Sequence, residues 1–186
     1  LRIYGSKSES NRLLILQTLF PGIEIKNISD SEDTKILFNA LSSESNKIDI
    51  NHAGTAMRFL TALFSSIPGR SIILTGSNRM QQRPIKILVD ALNSLGANIN
   101  YVNKNGFPPI QIIGRELNDR KVFLEADVSS QYISALMLIA PSLKNGLEIN
   151  LKKKIVSKPY VEMTKELLNY FGVKVLQTKN KIEIKP

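Results

Sequence analysis

Two short stretches, Leu95-Gly96-Ala97-Asn98-Ile99 and Phe171-Gly172-Val173-Lys174-Val175, mark the same place in two copies of one structural plan. In each stretch a predicted helix ends at a glycine in the left-handed conformation, and an alternating apolar pattern typical of a strand follows. The two helices are predicted to begin at Pro84 and Pro159, so their lengths up to the glycine are nearly equal. The spacing predicts a repeated supersecondary unit.

Strand and helix patterns alternate outward from these stretches along the whole chain. Predicted helices lie over residues 10–20, 33–41, 54–67, 84–95, 130–140 and 159–171. Predicted strands lie over residues 23–28, 48–50, 71–75, 99–102, 110–113, 122–125, 147–151, 173–176 and 182–184. Strands that alternate with helices favour an α/β protein.

The repeat divides the chain into three βαβαββ units, at about residues 1–50, 51–114 and 115–186. We therefore expect a single α/β domain, residues 1–186, with pseudo-threefold symmetry. An ordinary doubly wound sheet is the alternative architecture.

Composition excludes several classes of function. The chain has 186 residues and no cysteine, which excludes disulfides, thiolate metal sites and thiol nucleophiles. Its one histidine, His52, excludes a histidine cluster for a metal. No apolar run approaches the length of a membrane span and no basic-then-apolar leader opens the chain, so we expect a cytoplasmic protein without a membrane partner. Because the first residue is Leu1, we expect the chain to be a piece of a longer protein.

The net charge favours anionic partners. It is +9, from 25 Lys and Arg against 16 Asp and Glu, and residues 144–186 hold ten Lys and four Glu. Charge alone does not separate a nucleic acid from a phosphorylated metabolite. Both classes of partner stay open at this point.

Five polar clusters precede or open predicted helices, where free backbone N–H groups and the helix dipole favour a bound anion. The clusters lie at residues 5–12, 51–58, 79–84, 129–132 and 157–160. Each cluster alone is also consistent with an N-cap or a solvated loop, and His52 alone is more consistent with capping or packing than with catalysis. Five clusters at equivalent places of a repeat predict that the helix starts converge on one anion-binding site.

The clusters, in this order, resemble the motifs of the 5-enolpyruvylshikimate-3-phosphate synthase family. The matching motifs are Gly5-Ser6-Lys7-Ser8-x-Ser10-Asn11-Arg12, Ala53-Gly54-Thr55-Ala56-Met57-Arg58, Arg79-Met80-x-x-Arg83-Pro84-Ile85, Ser129-Ser130-Gln131 and Ser157-Lys158-Pro159-Tyr160. The resemblance spans essentially the whole chain. It implies the inside-out α/β barrel of the enolpyruvyl transferases, and it implies that this chain is the N-terminal of two similar domains, without its partner domain.

The resemblance also implies a reaction and a site. The family transfers the enolpyruvyl group of phosphoenolpyruvate to the 5-hydroxyl of shikimate 3-phosphate, through a tetrahedral intermediate and with no metal or organic cofactor. By resemblance Lys7 is the catalytic residue and contacts phosphoenolpyruvate. The other implied contacts are Ser8 and Arg12 to the shikimate carboxylate, the Gly54 backbone, Arg79 and Gln131 to phosphoenolpyruvate, Ser129, Ser130 and Ser157 to the 3-phosphate, and Tyr160 to the ring.

Two positions depart from the family pattern. His52 stands where the family usually has Asn, and Phe59 stands where some relatives carry Pro or Leu. Phe59 would lie behind the phosphoenolpyruvate pocket, where a change could alter tolerance of the inhibitor glyphosate. The family's general acid/base carboxylates belong to the partner domain, so we expect this chain alone to bind shikimate 3-phosphate weakly and not to turn over.

Two rival functions are weighed against this one. The sister transferase that acts on UDP-N-acetylglucosamine typically carries a catalytic Cys in this half and lacks a Ser-Ser-Gln cluster, so the absence of cysteine and the presence of Ser129-Ser130-Gln131 count against it. A non-catalytic nucleic-acid-binding domain would use the run Lys152-Lys153-Lys154. That run has little aromatic interleaving, which disfavours a nucleic-acid surface.

Overall fold

The first part of the chain consists of two helices. The computed structural model describes residues 3–125, 129–153 and 155–186. Helix α1 spans Lys7–Leu19 and helix α2 spans Glu32–Ser42, and Ser31 caps α2 by accepting a hydrogen bond from the Thr34 N–H. Helix α1 begins before the predicted Ser10 because Ser6, in an extended conformation, occupies the N-cap position.

The strand predicted over residues 23–28 is wrong. No strand precedes Lys47 in the described part of the chain. The apolar alternation there is real, but an isolated extended segment has no neighbouring strand with which to form a ladder. The first unit is therefore a helix pair without a sheet of its own.

The second unit has the predicted βαβαββ order, but it begins with a strand that lies before the predicted boundary at residue 51, because that strand pairs with the next strand of this unit. Its elements are β1 (Lys47–Asp49), α3 (Gly54–Ser66), β2 (Ser71–Thr75), α4 (Lys86–Ser94), β3 (Asn98–Tyr101) and β4 (Ile110–Ile113), with a short 3-10 helix at Met80–Gln82 before α4. The sheet order is β1-β2-β4-β3; β1 and β2 are parallel and the other pairs are antiparallel. Helix α4 begins at Lys86 and not at the predicted Pro84, because the Ile85 N–H donates to the carbonyl of Gly106 instead of entering the helix.

The third unit repeats the same topology. Its elements are β5 (Lys121–Leu124), α5 (Ser130–Ile139), β6 (Leu147–Leu151), α6 (Lys158–Tyr170), β7 (Val175–Gln177) and β8 (Lys181–Ile184), with a 3-10 turn at Ala140–Ser142. The sheet order is β5-β6-β8-β7, with the same parallel first pair. Gly96 and Gly172, which follow α4 and α6, have φ angles of 99° and 83°, so the predicted left-handed helix ends are confirmed.

The two sheets are separate and mixed, so one doubly wound sheet is the wrong architecture. Residues 3–125, 129–153 and 155–186 form two four-stranded sheets and no closed barrel. Helices α3 and α5 pack against each other, and 11 of 13 and 9 of 10 of their residues are buried. A helix that is apolar on nearly every side belongs in a core. Among the helices that the structure describes, none is long and apolar enough to span a membrane.

Candidate active site

The N-termini of α1, α3, α5 and α6 converge on one cavity of about 370 Å³. Strand β1 pairs in parallel with β2 and leads into α3, and strand β5 pairs in parallel with β6 and leads into α5. This shared topology brings the starts of α3 and α5 to the same end of the core. The cavity is lined by Lys7, Ser8, Asn11, Arg12, Thr55, Phe59, Arg83, Ser129, Ser130, Gln131, Val156, Ser157 and Tyr160. Eight of the ten predicted site residues are in this set; Gly54 and Arg79 are outside it.

Three of these helix starts have backbone donors that no side chain caps. The N-cap residues of α1, α3 and α6 are Ser6, Ala53 and Ser157, and none of the three accepts a capping hydrogen bond through its side chain. By contrast, α2 lies outside the cavity and is capped by Ser31. Uncapped N–H groups at a helix start are suited to an anionic ligand.

Hydroxyl groups line the side of the cavity formed by the third unit. The Ser129 hydroxyl accepts from the Gln131 N–H at 3.2 Å and Ser130 is buried beside it. Ser157 has a left-handed backbone with φ of 56°, which presents its hydroxyl without using it as a cap. Tyr160 is 46% exposed and lines the cavity, so part of this residue is accessible to a ligand. Hydroxyls and backbone N–H groups together can donate to phosphate oxygens.

Lys7 lies at the start of α1 and forms an ion pair with the beginning of α2. Its Nζ is 3.1 Å from Asp33 Oδ2, and half of the Lys7 side chain is exposed. The carboxylate holds the ammonium at the rim of the cavity. The exposed half of the lysine is free to approach a ligand there.

Arg12 connects α1 to both helices of the third unit. Its Nε donates to Thr164 Oγ1 at 2.7 Å, its Nη1 to the Ser8 carbonyl at 2.7 Å, and its Nη2 to Ser134 Oγ and to the Tyr160 carbonyl, both at 3.1 Å. Four of the five guanidinium N–H donors are therefore used within the protein. Burial lowers the pKa of Arg12 to about 10, and the nearby Tyr160 opposes this shift.

Glycine at position 54 leaves room for Arg83. A Cβ atom on Gly54 would clash with Arg83 Nη1, so this guanidinium packs directly against the start of α3. Arg58 lies below it, donates to the Gly54 carbonyl at 3.0 Å and is 5% exposed. Burial lowers the pKa of Arg58; the charge of Arg83 adds to the shift and Tyr132 opposes it.

A second cavity of about 500 Å³ adjoins the first through Arg83. It is lined by His52, Arg79, Met80 and Arg83, which places the predicted Arg79 here and apart from the hydroxyl groups. Gln131 links the second and third units, because its Nε2 is 3.2 Å from Thr55 Oγ1. The arrangement offers cations on one side and hydroxyls on the other.

Five lining residues are additional to the ten predicted contact residues, although Asn11, Thr55 and Arg83 belong to the predicted polar clusters and Phe59 was predicted behind the phosphoenolpyruvate pocket. Asn11, Thr55, Phe59, Arg83 and Val156 line the first cavity. Asn11 lies one helical turn after Ser8, and Thr55 directly follows Gly54, so their proximity to predicted residues was a usable signal. Among the residues that the structure describes, no group of three or more His, Asp or Glu side chains could hold a metal ion.

Two lysines of the run predicted for a nucleic-acid surface, Lys152 and Lys153, contact their own neighbours. Lys152 Nζ lies 5.9 Å from the centre of the Phe123 ring, and Lys153 Nζ is 3.1 Å from Glu125 Oε2. Lys154 lies outside the described residues. The two described lysines follow the carboxyl end of β6 and are not among the residues that line the cavity.

Comparison with known proteins identifies the family. The family model of EPSP synthase (3-phosphoshikimate 1-carboxyvinyltransferase) matches residues 37–186. A 3-phosphoshikimate 1-carboxyvinyltransferase of Bacteroides fragilis is 50% identical over 188 residues, covering 100% of this chain and 46% of the relative. The corresponding protein of Shewanella pealeana is 38% identical over 202 residues, covering 94% of this chain and 47% of its own length.

The solved structures agree at the level of the fold. An EPSP synthase from Acinetobacter baumannii matches with a TM-score of 0.79 at 20% identity, covering 100% of this chain and 47% of that one. The chain thus spans about half the length of the curated relatives that it matches. On the family model and on the identity to the curated relatives, the chain belongs to the EPSP synthase family.

Proposed function

We propose that this chain is one half of a 3-phosphoshikimate 1-carboxyvinyltransferase, which moves the enolpyruvyl group of phosphoenolpyruvate to the 5-hydroxyl of shikimate 3-phosphate. The observation that carries the proposal is the convergence of eight predicted residues, from the starts of α1, α5 and α6, on one cavity that the start of α3 also lines. The 50% identity to a relative of that name, over the whole of this chain, supports it.

The third unit is suited to the phosphate of shikimate 3-phosphate. Ser129, Ser130 and Ser157 lie together at the starts of α5 and α6, where hydroxyl and backbone donors can surround three phosphate oxygens. The exposed part of Tyr160 can pack against the shikimate ring. The proposed 3-phosphate contacts thus come from one side of the cavity.

Ser8 and Arg12 are the proposed partners of the shikimate carboxylate. Arg12 has one Nη1–H that is not used in its internal hydrogen bonds, so it can donate once, and the Ser8 hydroxyl lies in the same cavity. The buried guanidinium has only one N–H left for the carboxylate, but its positive charge still attracts the carboxylate, because the protein interior screens charge weakly. Arg12 therefore combines a structural role with a binding role.

Phosphoenolpyruvate is proposed to bind at the second unit. Lys7, Arg79, Gln131 and the Gly54 backbone N–H would contact it. Lys7 would leave its ion pair with Asp33, contact phosphoenolpyruvate instead and lie near the reacting 5-hydroxyl. In the addition step the 5-hydroxyl loses its proton as its oxygen bonds to C2 of phosphoenolpyruvate, and the terminal CH₂ gains a proton to become a methyl group. In the elimination step the bond from C2 to the phosphate oxygen breaks, phosphate leaves, and the methyl group loses a proton to form the double bond again.

The proposal also includes an N-terminal domain and a partner domain. We propose that residues 1–186 form the N-terminal of two domains, in which α1 and α2 belong to the first of the three units of a pseudo-threefold barrel. The exposed side chains of Ile28 and Phe38 line a cavity of about 640 Å³ beside α2, together with mostly polar residues, and strands from the other half of the enzyme would complete a sheet there. The residues that transfer protons would come from that other half. The cytoplasmic location stays a prediction.

Calorimetric titration of the chain with shikimate 3-phosphate tests the proposal. We expect weak binding and no phosphate release when phosphoenolpyruvate is added. Replacing Ser157→Ala should weaken binding about tenfold, because one charge-assisted hydrogen bond is lost. Ser42→Ala, on the far end of α2, is the matched control and should bind as the parent chain does.

Three results would contradict the proposal. Tighter binding of UDP-N-acetylglucosamine than of shikimate 3-phosphate would favour the sister transferase. A salt-dependent shift with random DNA that shikimate 3-phosphate does not compete away would favour a nucleic-acid-binding domain. Phosphate release by the isolated chain would show that the other half is not needed for chemistry.

A further inference from the structure

We infer that His52 binds phosphoenolpyruvate: together with Arg79 and Arg83 it contacts an anionic group of this substrate. The contact is tighter when the imidazole is protonated. This inference rests on the proposed function and adds a residue to it. The family's usual Asn at this position has no charge to gain.

The backbone places His52 at the entrance to the second cavity. It lies in the tight turn between β1 and α3, directly before the N-cap residue Ala53. Asn51 has a φ angle of 48°, and its N–H donates to Asp49 Oδ1 at 2.7 Å, which stabilises the turn. The His52 side chain is 51% exposed and lines the 500 Å³ cavity with Arg79 and Arg83. A ligand there can reach the ring.

The charges around His52 favour an anion in this cavity. Arg79 and Arg83 are permanently charged, and both side chains are exposed on the cavity wall. From α2, Glu32 Oε2 lies 3.5 Å from His52 Nε2. The neighbouring carboxylate of Asp33 pairs with Lys7, and it would be released as a further negative charge on this side when Lys7 moves to the ligand. Asp49, on the same turn, accepts the Asn51 N–H.

Glu32 is a replaceable partner. Its side chain is 68% exposed, so it can turn to solvent at little cost when a phosphate or carboxylate group takes its place. A protonated imidazole beside two guanidinium groups is favoured when an anion is bound between them. Proton binding and anion binding therefore reinforce each other by linkage.

Nuclear magnetic resonance tests this directly, because the chain has one histidine and hence one imidazole signal set. Phosphoenolpyruvate and inorganic phosphate are titrated separately into the chain at about pH 6 and about pH 8, on either side of the range in which imidazoles gain a proton. We expect the imidazole signals to move on titration. We also expect affinity at the lower pH to gain about fivefold relative to the His52→Asn variant.

The His52→Asn variant corrects for the titration of the ligand's own phosphate, because it meets the same ligand at the same pH. Lys144→Asn removes a positive charge from an exposed turn in the third unit and serves as the control for net charge. It should keep the pH dependence of the parent chain. Equal pH dependence in the parent chain and the His52→Asn variant would overturn the inference.

A separate titration with shikimate 3-phosphate distinguishes the two proposals. If shikimate 3-phosphate binds in a Ser157-dependent way while phosphoenolpyruvate leaves the imidazole signals unmoved, the role of His52 is wrong and the proposed function stands. If neither metabolite binds at either pH, the proposed function is wrong, and the inference falls with it.

Discussion

The second and third units have the same topology and equivalent buried positions. The buried pair Ile48 and Leu74 on β1 and β2 corresponds to Val122 and Ile149 on β5 and β6. Each sheet then adds two antiparallel strands in the same order. The apolar alternation that defines the core is therefore common to both units.

The opposite faces of the two sheets differ. Lys47 pairs with Ile73 in the second unit, whereas the equivalent pair in the third unit is Lys121 with Glu148. Glu148 lies 3.6 Å from Lys181, so the third sheet carries ion pairs where the second carries an aliphatic side chain. A partly exposed sheet face tolerates either composition, because packing does not determine it.

The helix starts differ most. The second unit contributes His52, Arg79 and Arg83, all of them potential cations, and the third contributes the hydroxyls of Ser129 and Ser157. Because the scaffold is the same, the residues that precede the helices decide which ligand each unit suits. The difference supports the proposal that the second unit binds phosphoenolpyruvate and that the third unit binds the phosphate of shikimate 3-phosphate.

The largest expected effect follows from Arg12, whose hydrogen bonds to other helices all reach the third unit. We expect Arg12→Ala to lower the free energy of unfolding by about 3 kcal/mol, because buried hydroxyl and carbonyl groups lose their donor and a cavity remains. Urea unfolding followed by circular dichroism measures the change. Arg12→Lys keeps the charge and should lower the free energy of unfolding by less than Arg12→Ala does. If Arg12→Ala lowered it by less than Arg12→Lys, the role assigned to the planar guanidinium would be contradicted.

The next effect tests whether the two units are equivalent. Gly96→Ala and Gly172→Ala should each lower the unfolding free energy by about 1 kcal/mol, because both residues have positive φ angles and a new Cβ would clash with nothing: it would lie 4.0 Å from the Asn118 backbone nitrogen at position 96 and meet no atom within 4 Å at position 172. Gly22→Ala, where a Cβ would also meet no atom within 4 Å and no positive φ is present, is the control and should change stability little. Thermal unfolding of the three variants measures the costs. Clearly unequal costs at positions 96 and 172 would break the equivalence.

The smallest effect concerns the charged face of the third sheet. The hydrogen bond from Asn150, together with Lys181 and Lys121, holds the pKa of Glu148 below its usual value. A lowered folded-state pKa means that the ionised carboxylate stabilises the fold above the unfolded-state pKa of about 4.3, and that this contribution is lost as the pH falls through the folded-state value. Glu148→Gln should therefore flatten the acid limb of the stability curve, measured by urea unfolding at several pH values. Glu116 is exposed in the connection from β4 to β5, so Glu116→Gln is the control and should leave the acid limb unchanged.

Local signals in the sequence determined most of the repeated architecture. Gly96 and Gly172 end helices because glycine adopts the left-handed conformation without strain, and the apolar alternation around Ile112 and Ile182 suits strands with one buried face. Hydroxyl, glycine and cationic residues before helices likewise marked most of the cavity wall. These preferences act over a few residues, so they are readable without a structure.

Only the tertiary structure decided how distant residues meet. Arg12 bonds Thr164, 152 positions away, and this contact depends on how α1 packs against α6. The apolar pattern at residues 23–28 forms no strand, because a strand requires a partner that local sequence does not specify. His52 and Glu32 come together in the same way, through the packing of the α3 turn beside α2. Packing geometry, which depends on the whole chain, determined the partners of the site residues.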